Sequence, residues 1–176
     1  ITSPTYTLTD PNYNSLSGGQ YGMNSKSMAM SGNYIVISDA YAGTGTGATE
    51  KQGIAYVYDI STFGSSTIAS ANYTLTNPDK YGSSSNDRFG SAIAIDGTKI
   101  VVAAAREQSS SGVAEDGVLY VYDISTFGSS VISSSAFSID NPNYGSGTDT
   151  GDKHGETVAI SEDYIVAGSR WNDTPF

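Results

Sequence analysis

One histidine, no cysteine and 18 Asp plus Glu bound the chemistry open to this 176-residue chain. Thiol nucleophiles, disulfides and Cys-based metal sites are excluded. His154 would need a nucleophile and a carboxylate within hydrogen-bond reach to act as a general base. Asp152 and Glu156 are near it in sequence, but such neighbours are common in so acidic a chain. The reading taken is a half-buried aromatic plug with its polar edge toward a neighbour. Asp59 and Asp123 form the kind of carboxylate pair that glycosidases use. They stand in identical contexts, however, so they belong to different structural units. Each is expected to cap a turn by accepting the N–H of Ser61 or Ser125. The run Gly43-Thr44-Gly45-Thr46-Gly47 suggests a phosphate cradle but has no following Gly-Lys-Ser/Thr, and reads as a flexible loop. No catalytic, cofactor-binding or metal-ligating residue is assigned, and the chain is not expected to be an enzyme.

Of the 13 tyrosines, seven fall into two groups. Tyr56, Tyr58, Tyr120 and Tyr122 lie in alternating strand sequence, where an aromatic ring supplies buried area between strands. Tyr13, Tyr81 and Tyr144 follow prolines in loops, where Tyr, Ser, Gly and Asn suit adaptable recognition. The single Trp171 sits in Arg170-Trp171-Asn172-Asp173, as a sugar platform or as a ring covering the last strands. Tyr81, Tyr144 and Trp171 are therefore the candidate ligand contacts, for a cell-surface glycan or a protein.

Composition narrows the partners. Lys plus Arg number 8, the formal net charge is −10 and the pI is about 4.2. Bare phosphate backbones would repel such a chain, so nucleic acid is not an expected partner. No apolar run approaches the ~18 residues a membrane-spanning helix needs, so no membrane insertion is expected. The start, Ile1-Thr2-Ser3-Pro4, lacks an initiator Met and a signal-peptide pattern, which suggests a processed, trimmed or excised chain.

These residues are positioned by an internal repeat. Tyr56 to Ser66 recurs unchanged at Tyr120 to Ser130, an offset of 64. Ser27-Met28-Ala29-Met30 aligns with Ala92 to Ile95 and Thr157 to Ile160, and Tyr34 to Ile37 with Lys99 to Val102 and Tyr164 to Ala167, each at an offset of 65. Tyr73 to Pro78 aligns with Phe137 to Pro142 and with Tyr6 to Pro11. The implied unit is about 65 residues with four strands, a to d. In the second unit these are Ser91 to Ile95, Lys99 to Ala104, Gly117 to Ile124 and Ala136 to Asp140. The apolar b strand predicts cover on both faces. Asp96-Gly97 predicts a type I′ hairpin, with Gly32-Asn33 and Glu162-Asp163 in the matching turns. Asn-Pro or Asp-Pro ends each d strand, since proline gives the ladder no N–H. No amphipathic helix is predicted. Tandem four-stranded units predict an all-β, propeller-like fold with an incomplete set of blades, the main rival being a two-sheet sandwich.

The stretch Arg88-Phe89-Gly90-Ser91-Ala92-Ile93-Ala94-Ile95-Asp96-Gly97-Thr98-Lys99-Ile100-Val101-Val102, followed by Gly117-Val118-Leu119-Tyr120-Val121-Tyr122, resembles an FG-GAP repeat. That family includes the α-subunit propellers of integrins and many bacterial and phage surface proteins. Asn24-Ser25 and His154-Gly155 replace the Phe-Gly pair in the other units. Asn-Pro-Asn and Gly-x-x-Tyr-Val-Tyr sequences are also similar in texture to marine phage structural proteins. The resemblance implies a propeller and an extracellular or virion-surface role as a fibre, appendage or surface-decoration subunit with adhesion as a duty, the alternative being a lectin-like module. The family often binds calcium in the b–c loop. Here those loops offer Asp39 and Glu50, then Glu107, Glu115 and Asp116, without Asp-X-Asp-X-Asp-Gly spacing, so calcium is a secondary expectation and no other cofactor is expected.

The organisation expected is an N-terminal d strand and linker at 1–20, blade 1 at 21–80, blade 2 at 81–145, and an a–b half blade at 146–176. That makes eleven strands, with unpaired edges at Tyr6 to Thr9 and Tyr164 to Ala167. Exposed edges template association, so the chain is expected to join further copies of itself or the rest of a larger propeller. The N-terminal strand could complete the third unit, in the same chain or the next.

Overall fold

The computed structural model describes residues 5–11, 21–22, 27–43, 51–78, 86–108, 114–142 and 151–170. Their strands are, in chain order, β1 (Thr7–Leu8), β2 (Met28–Ser31), β3 (Tyr34–Asp39), β4 (Ile54–Asp59), β5 (Thr67–Ile68) and β6 (Tyr73–Thr76). Then follow β7 (Phe89–Asp96), β8 (Lys99–Ala104), β9 (Val118–Asp123), β10 (Val131–Ile132) and β11 (Phe137–Asp140). The β12 (Thr157–Ser161) and β13 (Tyr164–Gly168) hairpin comes last. Two single turns of 3-10 helix, Ile60–Thr62 and Ile124–Thr126, are the only helices among the described residues.

The fold is all-β. β2, β3, β4 and β6 form one antiparallel meander, and β7, β8, β9 and β11 form a second with the same strand order. β12 and β13 pair antiparallel as the start of a third. Such sheets are compatible with propeller blades. Their alternation follows from the sequence. Ile35, Ile37, Tyr56 and Tyr58 share one face of the first sheet, because Ile35 pairs with Tyr58 and Ile37 with Tyr56. The expectation for the b strand holds: Ile100 to Ala104 are all buried.

The a–b hairpins differ from the sequence reading in turn type. In each two-residue loop only the first position is left-handed: Gly32 (φ 55°), Gly97 (φ 55°) and Glu162 (φ 52°). A type I′ turn needs positive φ at both positions, so the pattern is that of type II′. The hairpin tips also bond one another across sheets. The Gly97 N–H donates to Ser31 Oγ at 3.0 Å, and the Glu162 N–H to Asp96 Oδ2 at 2.7 Å. A hydrogen-bond acceptor at the end of each a strand thus holds the tip of the next hairpin.

The core lies between sheets rather than within one. Val36, Val57 and Leu75 of the first sheet pack with Phe89, Ile93, Val102 and Tyr120 of the second. Val101, Leu119 and Val121 on the far face of the second sheet pack with Val158, Ile160 and Ile165 of the third. A single sheet buries one face at most, so each depends on its neighbour.

Two short parallel pairings were not foreseen. β5 lies beside β1, with Thr67 opposite Thr7 and Ile68 opposite Leu8. β10 lies beside β6, with Val131 opposite Thr74 and Ile132 opposite Leu75. The N-terminal strand therefore sits against the first unit's c–d connection and not in the third unit. The register is the reason: Leu8 and Ile68 join one apolar cluster with Tyr58 and Phe63.

Candidate functional site

Tyr81, Tyr144 and Trp171, with Tyr13 and residues 44–47, lie outside the described residues. The strand tyrosines are core: Tyr56, Tyr58, Tyr120 and Tyr122 are at most 1% exposed. Tyr58 shares a 2.8 Å hydrogen bond with the Tyr21 hydroxyl. Burial raises the pKa of both phenols, and of Tyr122, above the ordinary range;.

Asp59 and Asp123 cap the 3-10 turns as the sequence suggested. Asp59 Oδ1 accepts from Ser61 N at 2.9 Å and Asp123 Oδ1 from Ser125 N at 3.0 Å, with the serine hydroxyls adding bonds of 2.6 Å. Asp123 also pairs with Lys99. The Lys99 ammonium, then the Ser125 hydroxyl, hold its carboxyl well below the usual range;. The two carboxylates sit in different sheets, so they do not face a common substrate.

His154 occupies the position equivalent to Phe89 and is buried. Its Nδ1 lies 3.2 Å from Ser169 Oγ. Asp152 instead accepts from Asn141 Nδ2 at 2.9 Å, and Glu156 stands 3.3 Å from Arg170. Burial lowers the imidazole pKa, opposed by the charges of Asp116, Asp140 and Asp152;.

Of the loop carboxylates considered for calcium, Glu50 lies outside the described residues and the other four point to separate partners. Asp39 Oδ1 accepts from Tyr41 N at 3.0 Å, and Glu107 from the Tyr120 hydroxyl. Glu115 pairs with Arg106 at 2.6 Å and Lys153 at 3.6 Å, and Asp116 accepts from Asn141 at 2.7 Å. Among the described residues no three metal-ligating side chains gather into one cluster.

Sequence reasoning missed how polar side chains lock the junctions between units. Asn141, buried just after the second d strand, donates to both Asp116 and Asp152. Asn77, its counterpart after the first d strand, donates to Asp87 at 2.9 Å. The available signal was the Asn-Pro dipeptide, read only as a strand end. A buried amide also needs partners, and here Asp87 and Asp152 come from the next unit and Asp116 from the same one.

The Phe-Gly pair has a structural position too. Phe89 N donates to Gln52 O at 2.9 Å, and Ser38 Oγ donates to Gly90 O at 2.6 Å. Gly90 takes φ 87° against the Ser38 side chain, where a Cβ would come within 2.6 Å. The pair thus clips a unit to the b and c strands of the one before it. Residues 75–122, which contain this clip, match the family model of the FG-GAP repeat. Over those residues the chain is similar to an FG-GAP repeat. A comparison with curated proteins finds no match. The stacked sheets leave apolar side chains in solvent at both ends. Met28 (55% exposed) and Met30 (62%) lie at one end, Tyr164 (76%) and Val166 (68%) at the other.

Proposed function

We propose that the chain is a non-enzymatic structural and adhesion scaffold of an extracellular surface or a virion, used as a fibre, appendage or surface-decoration subunit. The observation that carries this is a stretch similar to an FG-GAP repeat set across two stacked antiparallel meanders. FG-GAP repeats are typical of extracellular proteins. Apolar side chains at both ends of the stack support association with copies of the chain or with the rest of a larger propeller. The high negative charge keeps such a surface soluble, and no described helix is long and apolar enough to cross a membrane.

Immunogold labelling of intact source cells and their particles tests the placement; label confined to the cell interior would overturn it. A glycan array with the purified chain tests the role. Strong binding lost in Trp171→Ala or Tyr144→Ala would replace the scaffold reading with a lectin. Turnover of a glycan or ester that is lost on changing His154 or Asp123 would replace it with an enzyme.

A further inference from the structure

We infer that the open edge formed by β11 and β13 is a docking site for one segment type: the c strand, 3-10 turn and short parallel strand of a further repeat. The segment has the sequence character of Gly117 to Ile132. Both copies in this chain are already engaged: β4 and β5 lie on β3 and β1, and β9 and β10 on β8 and β6. The occupant is therefore a further segment of this type and neither of these two. The inference rests on reading the chain as a repeat scaffold, but not on where that scaffold is placed.

Three observations converge on it. First, the d strands are equivalent in register, and two of the three are already covered. Thr7 N donates to Ser66 O at 2.8 Å and Thr74 N to Ser130 O at 2.8 Å. The third position in this series is Ser138, on β11, the terminal strand of its sheet. Second, each covered d strand carries an aromatic ring packed edge-on against the phenylalanine of the incoming segment. Tyr6 meets Phe63 at 5.1 Å and 73°, and Tyr73 meets Phe127 at 5.1 Å and 71°. Phe137 is the third such ring, and it is 53% exposed.

Third, a groove of about 200 Å³ runs between the second sheet and the β12–β13 hairpin, lined by Val121, Phe137, Ile160 and Ile165 among others. At the preceding junction the matching residues, Val57, Tyr73, Ile95 and Ile100, are in one continuous core with Tyr122 and Phe127. Those two rings belong to the segment type proposed here. Among the described residues β13 ends its sheet, whereas β3 and β8 are each followed by a c strand.

Equivalence also fixes the register. Tyr56 pairs with Ile37 and Tyr120 with Val102, so the first tyrosine of the incoming strand pairs with Ala167. The short parallel strand then places its Val-Ile opposite Ser138 and Ile139.

The probe is a fluorescein-labelled peptide with the sequence of residues 117–134, titrated into the full chain. Expected are saturable one-to-one binding and slower amide exchange in Phe137–Asp140 and Tyr164–Gly168. Phe137→Ala should weaken binding at least about ten-fold, because an aromatic contact and its buried area are lost. Ser138→Pro, which removes the edge N–H, should do the same. A peptide carrying Ser in place of Phe127 should bind as weakly. Circular dichroism melts check that both chain variants remain folded. No binding to the wild-type chain, or binding that Phe137→Ala and Ser138→Pro leave equal, overturns the inference. Loss of peptide binding by a chain that still labels the cell or particle surface overturns the inference alone. Peptide bound at this edge by a chain found only inside cells supports the inference and overturns the surface placement.

Discussion

Gly117 and His154 meet backbone to backbone: a Cβ at position 117 would lie 2.3 Å from the His154 carbonyl oxygen. The same contact occurs one unit earlier, where a Cβ on Gly53 would lie 2.0 Å from the Phe89 oxygen. Each glycine precedes a c strand, and each partner opens the following unit. Hydrogen bonds flank the contact, from His154 N to Asp116 O at 2.8 Å and from Phe89 N to Gln52 O at 2.9 Å. Successive units are therefore joined at a point where no side chain fits.

Gly53→Ala and Gly117→Ala should each destabilise the chain by about 3 kcal/mol or more, since a backbone clash adds to a left-handed φ of 87° or 93°;. Gly64 is the control, because a methyl group added there would meet nothing within 4 Å. Gly64→Ala should change stability by less than about 0.5 kcal/mol. Urea denaturation of the three variants checks this, and equal effects at positions 64 and 117 would refute it.

Loss of a helix-capping side chain costs about 1 kcal/mol. Asp59→Ala and Asp123→Ala should each show a loss of that order. The double variant should lose the sum to within about 0.5 kcal/mol, because the two caps share no partner. The Lys99–Asp123 pair should add little, as the Lys99 side chain is 53% exposed;. A double variant no weaker than either single one would count against independent caps.

Tyr58 and Tyr122 are equivalent and both buried, yet only Tyr58 has a described partner for its hydroxyl, namely Tyr21. Tyr58→Phe should cost about 1 kcal/mol, through the lost bond and the Tyr21 hydroxyl left behind. Tyr122→Phe should be neutral or stabilising, because a buried hydroxyl without a bond is itself unfavourable. Thermal melts of the two variants should shift in different directions or by clearly different amounts.

His154 should make the chain acid-sensitive below about pH 6.5, the ordinary histidine value. Above that pH the ring is neutral both folded and unfolded. Below it the unfolded chain takes up a proton that the buried ring resists, since its folded pKa is lowered; stability then falls with pH until the folded value is reached. Asp116, Asp140 and Asp152 narrow the window by favouring the charged ring. His154→Phe, which installs the residue found at position 89, should flatten the fall in melting temperature as the pH drops below about 6.5. Asp123 acts in a separate window. Its lowered pKa supports the fold above about pH 4, and that support fades only in stronger acid;. An unchanged pH profile in His154→Phe would exclude the histidine as the source.

The strands of the two meanders and their alternating faces were legible from residue order alone. Alternation along Tyr120-Val121-Tyr122 and the continuous apolar run of Ile100 to Ala104 act over a few residues, so periodicity reveals them. The Tyr56 to Ser66 segment, found again at Tyr120 to Ser130, revealed an internal duplication, and local chemistry revealed the caps at Asp59 and Asp123. What lies between units was settled only by packing in three dimensions. β5 and β10 are two residues long and carry no periodic signal; they become strands only where a neighbouring d strand supplies the partner. Asn141 read as the end of a strand until Asp116 and Asp152 were brought to it from 25 and 11 residues away. Gly117 read as the start of a strand until the backbone of His154 came against it. Tyr81, Tyr144 and Trp171 were legible only as aromatic residue types, because a ligand site is a spatial relationship that residue type does not specify. A single sequence shows which contacts a segment can make. Which of them form is fixed by burial between sheets, where each polar group must find a partner and each face a neighbour.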